Sequence, residues 1–249
     1  MTNLIQTLIS GLSLGSIYAL IALGYTMVYG IAKMLNFAHG DVIMVGAYSG
    51  IVAVAQLGLS PWVTVIVSIV VCAVLGVVIE FCAYKPLRQA APLSVLITAI
   101  GVSYLLQNAA LLLFGSQQMA YPTLVKLGSF SLGGVQVDGI TVLTLAVTAV
   151  LMAALTLFID KTKLGKAMRA VSEDKDAATL MGISVDRTIT LTFAIGSALA
   201  AFASMFYGMT YVYIKPTTGA MPGIKAFTAA VFGGIGSIPG AMLGGILLG

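Results

Sequence analysis

LIQTLISGLSLGSIYALIALGYTMVYGI, residues 4–31, holds no Asp, Glu, Lys or Arg. A helix that crosses a bilayer needs about 20 consecutive apolar residues, and this run exceeds that from the first turn of the chain. Six further apolar segments follow: Asp41 to about Leu59, Pro61–Ala83, Leu93–Phe114, Ile140–Ile159, Ile189 to about Ile214, and Ile224–Gly249. The last is interrupted by Gly233-Gly234-Ile235-Gly236-Ser237-Ile238-Pro239-Gly240. Over its 249 residues the chain is 59% hydrophobic and 8% charged, with a mean hydropathy of +1.07. Soluble domains carry about 25% charged residues, so a soluble globule is excluded. Disorder is excluded too, since it needs low hydrophobicity and high net charge. The predicted fold class is all-α: one polytopic transmembrane helix bundle over residues 1–249, with about seven spans and one broken or re-entrant glycine-rich segment. Because the chain stops inside its last apolar stretch, a further helix is expected beyond it.

The formal net charge of +4 fits a membrane protein, where Lys and Arg gather in cytoplasmic loops. Six of the 12 basic residues lie between Asp160 and Arg187. Placing that segment in the cytoplasm also puts Lys33, Lys85 and Arg88 inside, and the N-terminus outside. The first apolar run is too long for a signal core, and no basic residue precedes Lys33. An outer loop at 115–139, around Gly128 and Gly133-Gly134, is predicted to form a small hairpin. Cys72 and Cys82 stand about 15 Å apart along one helix, too far for a disulfide. One histidine cannot build a multi-histidine metal site, and no metal is expected. Gly165-Lys166 lacks the upstream glycine and the Ser or Thr of a phosphate loop. With no Gly-x-Ser-x-Gly, His-Glu-x-x-His or Cys-x-x-Cys, the chain is not read as an enzyme.

Helix contacts in lipid rely on small residues. GxxxG spacings at Gly11/Gly15, Gly46/Gly50, Gly236/Gly240 and Gly240/Gly244 suit close helix packing. The likeness of Gly15-Ser16-Ile17-Tyr18-Ala19-Leu20 to Gly196-Ser197-Ala198-Leu199-Ala200-Ala201 hints at an internal repeat.

In the charged loop, Ser172 is suited to cap a short helix, with Glu173, Asp174 and Asp176 in its first turn and Gly182 as its stop. A helix over about Glu173 to Met181 is predicted, with Ala177 and Ala178 forming a smooth face that a second protein could approach.

Asp176-Ala177-Ala178-x-x-x-Gly182 resembles the acidic-Ala-Ala-x-x-x-Gly signature of ABC importer permeases, with Asp for the usual Glu. Two longer stretches sharpen the resemblance to the branched-chain amino acid permeases. They are Leu12–Gly30 followed by Asn36-Phe37-Ala38-His39-Gly40-Asp41, and the segment Phe232-Gly-Gly-Ile-Gly236-Ser-Ile-Pro239-Gly240. The resemblance implies that the short helix docks into an ATPase subunit, through Arg169, Glu173, Asp174, Asp176, Ala177, Ala178 and Gly182. It implies a second homologous permease, two cytoplasmic ATPase subunits that hold the ATP and Mg, a periplasmic or extracellular substrate-binding protein, and the bacterial inner membrane. This chain itself would bind no cofactor. Related permeases for urea, amides and sugars share the architecture, and a secondary transporter without an ATPase is a further alternative.

Candidate pathway residues are Tyr18, Tyr25, Asn36, His39, Asp41, Gln107, Asn108, Gly233 and Gly236. His39 and Asp41 lie where the first span turns into the second, and read either as a gate or as a hydrogen-bonded turn. Gln107 and Asn108, inside the fourth span, read as path lining or as helix glue. Tyr18 and Tyr25, seven apart, share a helix face and read as path lining or as an aromatic packing stripe. Glu80 is read as a local ion-pair partner of Lys85 or Arg88. Unwound backbone near Gly233 and Gly236 is tolerated at membrane depth only inside protein or beside water, so it reads as tight packing or as a substrate contact.

Overall fold

The computed structural model describes residues 2–132 and 135–249. Among the described residues, five helices are long and apolar enough to cross a membrane. They are α1 (Thr2–Ala32), α3 (Pro61–Ile79, extended to Leu87 by short π and 3-10 turns), α4 (Pro92–Phe114), α5 (Gly139–Lys161) and α8 (Val185–Tyr211). Two are central: 56% of the most apolar window of α1 and 67% of that of α8 is buried, against 17% for α4 and α5. Around them the lipid-type faces of α3 and α4 remain open, with Trp62, Ile66, Val70 and Val74 outward on α3.

The expected second span is shorter than predicted. Helix α2 (His39–Ile51) is followed by a π turn to Gln56. It starts inside the bundle rather than at its end: His39 packs against Gly24, eight residues and therefore about 12 Å before the end of α1. The expected seventh span is two short helices, α9 (Ala220–Phe232) and α10 (Ile238–Leu248). They fold back on each other, with Gly233 against Gly240 and Ala229 against Gly244. The reversal requires backbone that L side chains rarely adopt, at Gly234 (φ +81°) and Gly236 (φ +99°).

Small residues set these contacts, several of them outside the GxxxG pairs. A Cβ on Gly245 would fall 2.4 Å from Ala19 Cα, and one on Gly24 would fall 2.9 Å from the Gly196 carbonyl oxygen. Helix α10 thus runs antiparallel to α1, and α1 crosses α8 at backbone contact. The repeat-like Gly15 and Gly196 face different partners, Ile246 and Gly24. At the end of the bundle holding the start of α1, β2 (Ser129–Leu132) and β3 (Val135–Asp138) form the expected hairpin. Gly133 and Gly134 lie outside the described residues. A two-residue ladder joins β1 (Met119–Ala120) to β4 (Tyr213–Ile214).

At the opposite end the charges converge. Arg88 pairs with buried Glu80 and with Asp186, and Lys85 lies 3.1 Å from Asp186. Lys175 Nζ reaches the Ala32 carbonyl at 3.4 Å. The basic residues assigned to one side by charge counting therefore gather at one end of the fold.

Candidate functional site

Two helices fill the charged loop: α6 (Lys163–Glu173) and α7 (Lys175–Leu180). Thr162 caps α6, its hydroxyl accepting from Gly165 N at 2.9 Å. The amphipathic pattern of α6 buries Met168 and Val171. This stripe keeps Ser172 and Glu173 helical, so the predicted cap is displaced by two residues. Ser172 donates back to the Arg169 carbonyl at 2.7 Å. Asp174, in extended conformation, is the cap of α7: its carboxylate accepts from Asp176 N at 2.8 Å and Ala177 N at 2.9 Å. Gly182 ends α7 at φ +79°. Ile183 N then donates to Ala178 O at 3.0 Å, the 6→1 bond of a Schellman cap. Asp176 is exposed in the first turn, where its charge complements the helix dipole.

The face of α7 differs from expectation. Ala178 is 3% exposed and packs into the chain's own core, while Ala177 faces out. The small residue at 178 seats α7 on this bundle. The outward surface is instead Leu180 and Met181, 88% and 82% exposed. Sequence reading passed over this pair; its signal was two large apolar residues inside a charged loop, just before the stop glycine. Arg169 pairs with Asp160 and so ties α6 to the end of α5. Lys175 anchors α7 to α1; burial, then the nearby Arg88 and Lys33, pull its ammonium pKa below the usual lysine range. A cleft of about 290 Å³ lies beside this assembly, and its lining brings Arg169 and Ser172 together with Gly236, Thr26 and Gly30.

Within the bundle, the predicted pathway residues fall into separate clusters. Tyr25 and His39 meet edge to face at 4.8 Å, and Phe227 of α9 lies 5.9 Å from Tyr25. His39 occupies the space that Gly24 leaves: a Cβ there would fall 2.5 Å from Nε2. Asp41 faces the other way and is buried. It accepts from Ser103 and, at 3.0 Å, from Gln107 Nε2. Gln107 and Asp41 thus form one polar link between α4 and α2, a partnership that no spacing could reveal. Asn108 does not join it; it is exposed and donates to the Tyr104 carbonyl of its own helix at 2.7 Å. Asn36 is buried and accepts from the Tyr84 hydroxyl at 3.0 Å, fixing the turn before α2. Gly233 is in backbone contact with Gly240, and Gly236 lies against Gly30. Tyr18 is buried apart from Tyr25, with Lys225 Nζ 5.4 Å from its ring centroid. Glu80 takes the predicted ion pair with Arg88 and also accepts from Thr190 at 2.8 Å.

Apolar helices closed around buried polar links, with one late span broken at glycines, define a multi-pass membrane protein. The chain belongs to the family described as branched-chain amino acid transport system / permease component, which matches residues 7–249. It is 49% identical over 257 residues to the high-affinity branched-chain amino acid transport system permease protein BraD of Pseudomonas aeruginosa, covering 98% of this chain and 84% of that one. Identity to the permease protein LivH of the same description from Escherichia coli K12 is 46% over 258 residues, covering 98% and 83%. A more distant relative is the permease protein LivM of Salmonella typhimurium, 27% identical over 256 residues, covering 93% and 60%. No solved structure matches the chain.

Proposed function

We propose that this chain is a membrane-spanning permease subunit of an ATP-driven importer of branched-chain amino acids, and that it forms the translocation pathway with a second, homologous permease. The observation that carries the reading is the similarity to BraD, 49% identity across 98% of the chain. The weaker likeness to LivM supports a second permease of related fold. The chain itself acts as a translocation subunit and not as an enzyme. ATP and Mg belong to two cytoplasmic ATPase subunits, and a substrate-binding protein delivers the solute on the opposite face. The membrane is the bacterial inner membrane, with α7 on the cytoplasmic side by the distribution of Lys and Arg.

The coupling mechanism follows from how α7 is held. Its N-terminus is capped by Asp174, its C-terminus is closed at Gly182, and Lys175 links it to the end of α1. Two residues beyond Ile183, the chain enters α8. A push on Leu180 and Met181 therefore reaches α1 and α8 together, and these are the helices that cross at Gly24 and Gly196. Gly24 supports His39, and His39 supports Tyr25. Small displacements of α7 thus reach the inner end of α2 without passing through a flexible linker.

The test is purification from solubilised membranes followed by reconstitution. ATPase subunits are expected to co-purify, and the reconstituted complex to take up leucine, isoleucine or valine only with ATP inside. Isolation of the bundle without an ATPase, or uptake driven by an ion gradient alone, would overturn the proposal.

A further inference from the structure

Lys225 has an unusual position. Its ammonium lies 5.4 Å from the ring centroid of Tyr18. Tyr18 is the central residue of the apolar span Leu4–Ala32, 14 residues from either end. The charge therefore sits near the middle of the membrane. It is also exposed on the chain's own surface, on a helix whose Ala226, Ala229 and Ala230 are buried. Among the described residues no carboxylate pairs with it. An unpaired ammonium at that depth cannot be left against hydrocarbon, and such groups face a bundle interior or a water-filled path.

The surroundings are those of a path. Tyr207 and Tyr211 lie tilted against each other on α8, ring centroids 4.4 Å apart. They also line an open cavity of about 480 Å³ towards the outer end, with Lys215 and Met221. Met221 stands one helical turn before Lys225 and so shares its face of α9. The aromatic cavity at the outer end thus stops about one turn of α9 short of Lys225.

Building on the proposed function, we infer that Lys225 lines the translocation pathway and receives the carboxylate of the passing amino acid, while Tyr207 and Tyr211 form the wall along which its aliphatic part moves and buried Tyr18 backs the lysine. A fixed ammonium suits a carboxylate through a charge-assisted hydrogen bond. Tyrosine faces accept both an alkyl chain and the substrate's own ammonium.

The test uses the complete reconstituted complex with saturating leucine-loaded binding protein. Lys225→Met is expected to lower leucine uptake by at least about tenfold, the worth of one hydrogen bond to a charged group, with the second permease and ATPase still assembled. Lys225→Arg is expected to keep most of the uptake. Independently of the solute, Lys225→Cys in a Cys82→Ser background is expected to react with a membrane-impermeant anionic methanethiosulfonate added from the binding-protein side. Unchanged uptake by Lys225→Met where the unmodified complex transports leucine overturns the inference, as does absence of labelling in an assembled complex. Loss of the second permease from Lys225→Met also overturns it, because the lysine would then be an interface ion-pair partner. If the unmodified complex carries no branched-chain amino acid, the reading of the solute fails, and the labelling arm still decides whether Lys225 meets water.

Discussion

If an ATPase subunit docks on α7 as proposed, replacing Leu180 and Met181 together by Ala separates docking from folding. Both side chains are almost fully exposed, at 88% and 82%, so their removal leaves the packing of this chain intact. Burial of a Leu or Met side chain contributes about 1.5–3 kcal/mol. Truncation to Ala keeps the Cβ, and neighbouring positions are not strictly additive, so the pair loses at least about 2 kcal/mol of docking free energy. That corresponds to roughly thirtyfold in the Kd for the ATPase subunit. The assay is titration of purified ATPase onto the immobilised permease in detergent, with a thermal midpoint measured on the same preparation. Affinity should fall with the midpoint unmoved. Ala178→Leu is the contrasting variant: at 3% exposure its added methylenes meet the chain's own core, where overpacking costs about 1–3 kcal/mol, so its midpoint should drop. Wild-type affinity in the double variant, or a docking defect confined to position 178, would refute the assignment of the outward face.

Asp41→Ala leaves Ser103 without its acceptor and Gln107 with only the Ser103 hydroxyl at 3.2 Å, and should cost about 1–3 kcal/mol, read as a lower thermal midpoint in detergent; Ser103→Ala alone should cost less. Gly24→Val places a branched side chain against the His39 ring and the Gly196 carbonyl, within 2.5 Å and 2.9 Å of a Cβ, and should abolish stable insertion of a folded chain. Gly101→Ala, with nothing within 4 Å, should be neutral in the same expression and gel-filtration assay. Glu80→Gln removes the buried charge from a pair whose Arg88 is 13% exposed and also held by Asp186, and should destabilise by about 1–3 kcal/mol, whereas Asp186→Asn, whose side chain is 57% exposed, should cost under about 1 kcal/mol; chemical denaturation in mixed micelles distinguishes them.

The sequence by itself determined that the chain is a multi-pass helical bundle, because backbone groups in hydrocarbon must be satisfied within the helix and long uncharged runs therefore report spans directly. It also determined where the late span breaks and where α7 stops, since clustered glycines and Gly182 act through local backbone conformation alone. Tertiary structure decided the rest. Which of Ala177 and Ala178 faces inward, that Asp41 joins Gln107 while Asn108 turns back on its own helix, and that α9 and α10 fold together all depend on helix rotation and depth. In a chain whose helices are apolar on every side, hydropathy carries little record of rotation. The backbone contacts of its glycines set it, and they placed Lys225 beside the midpoint of the first span.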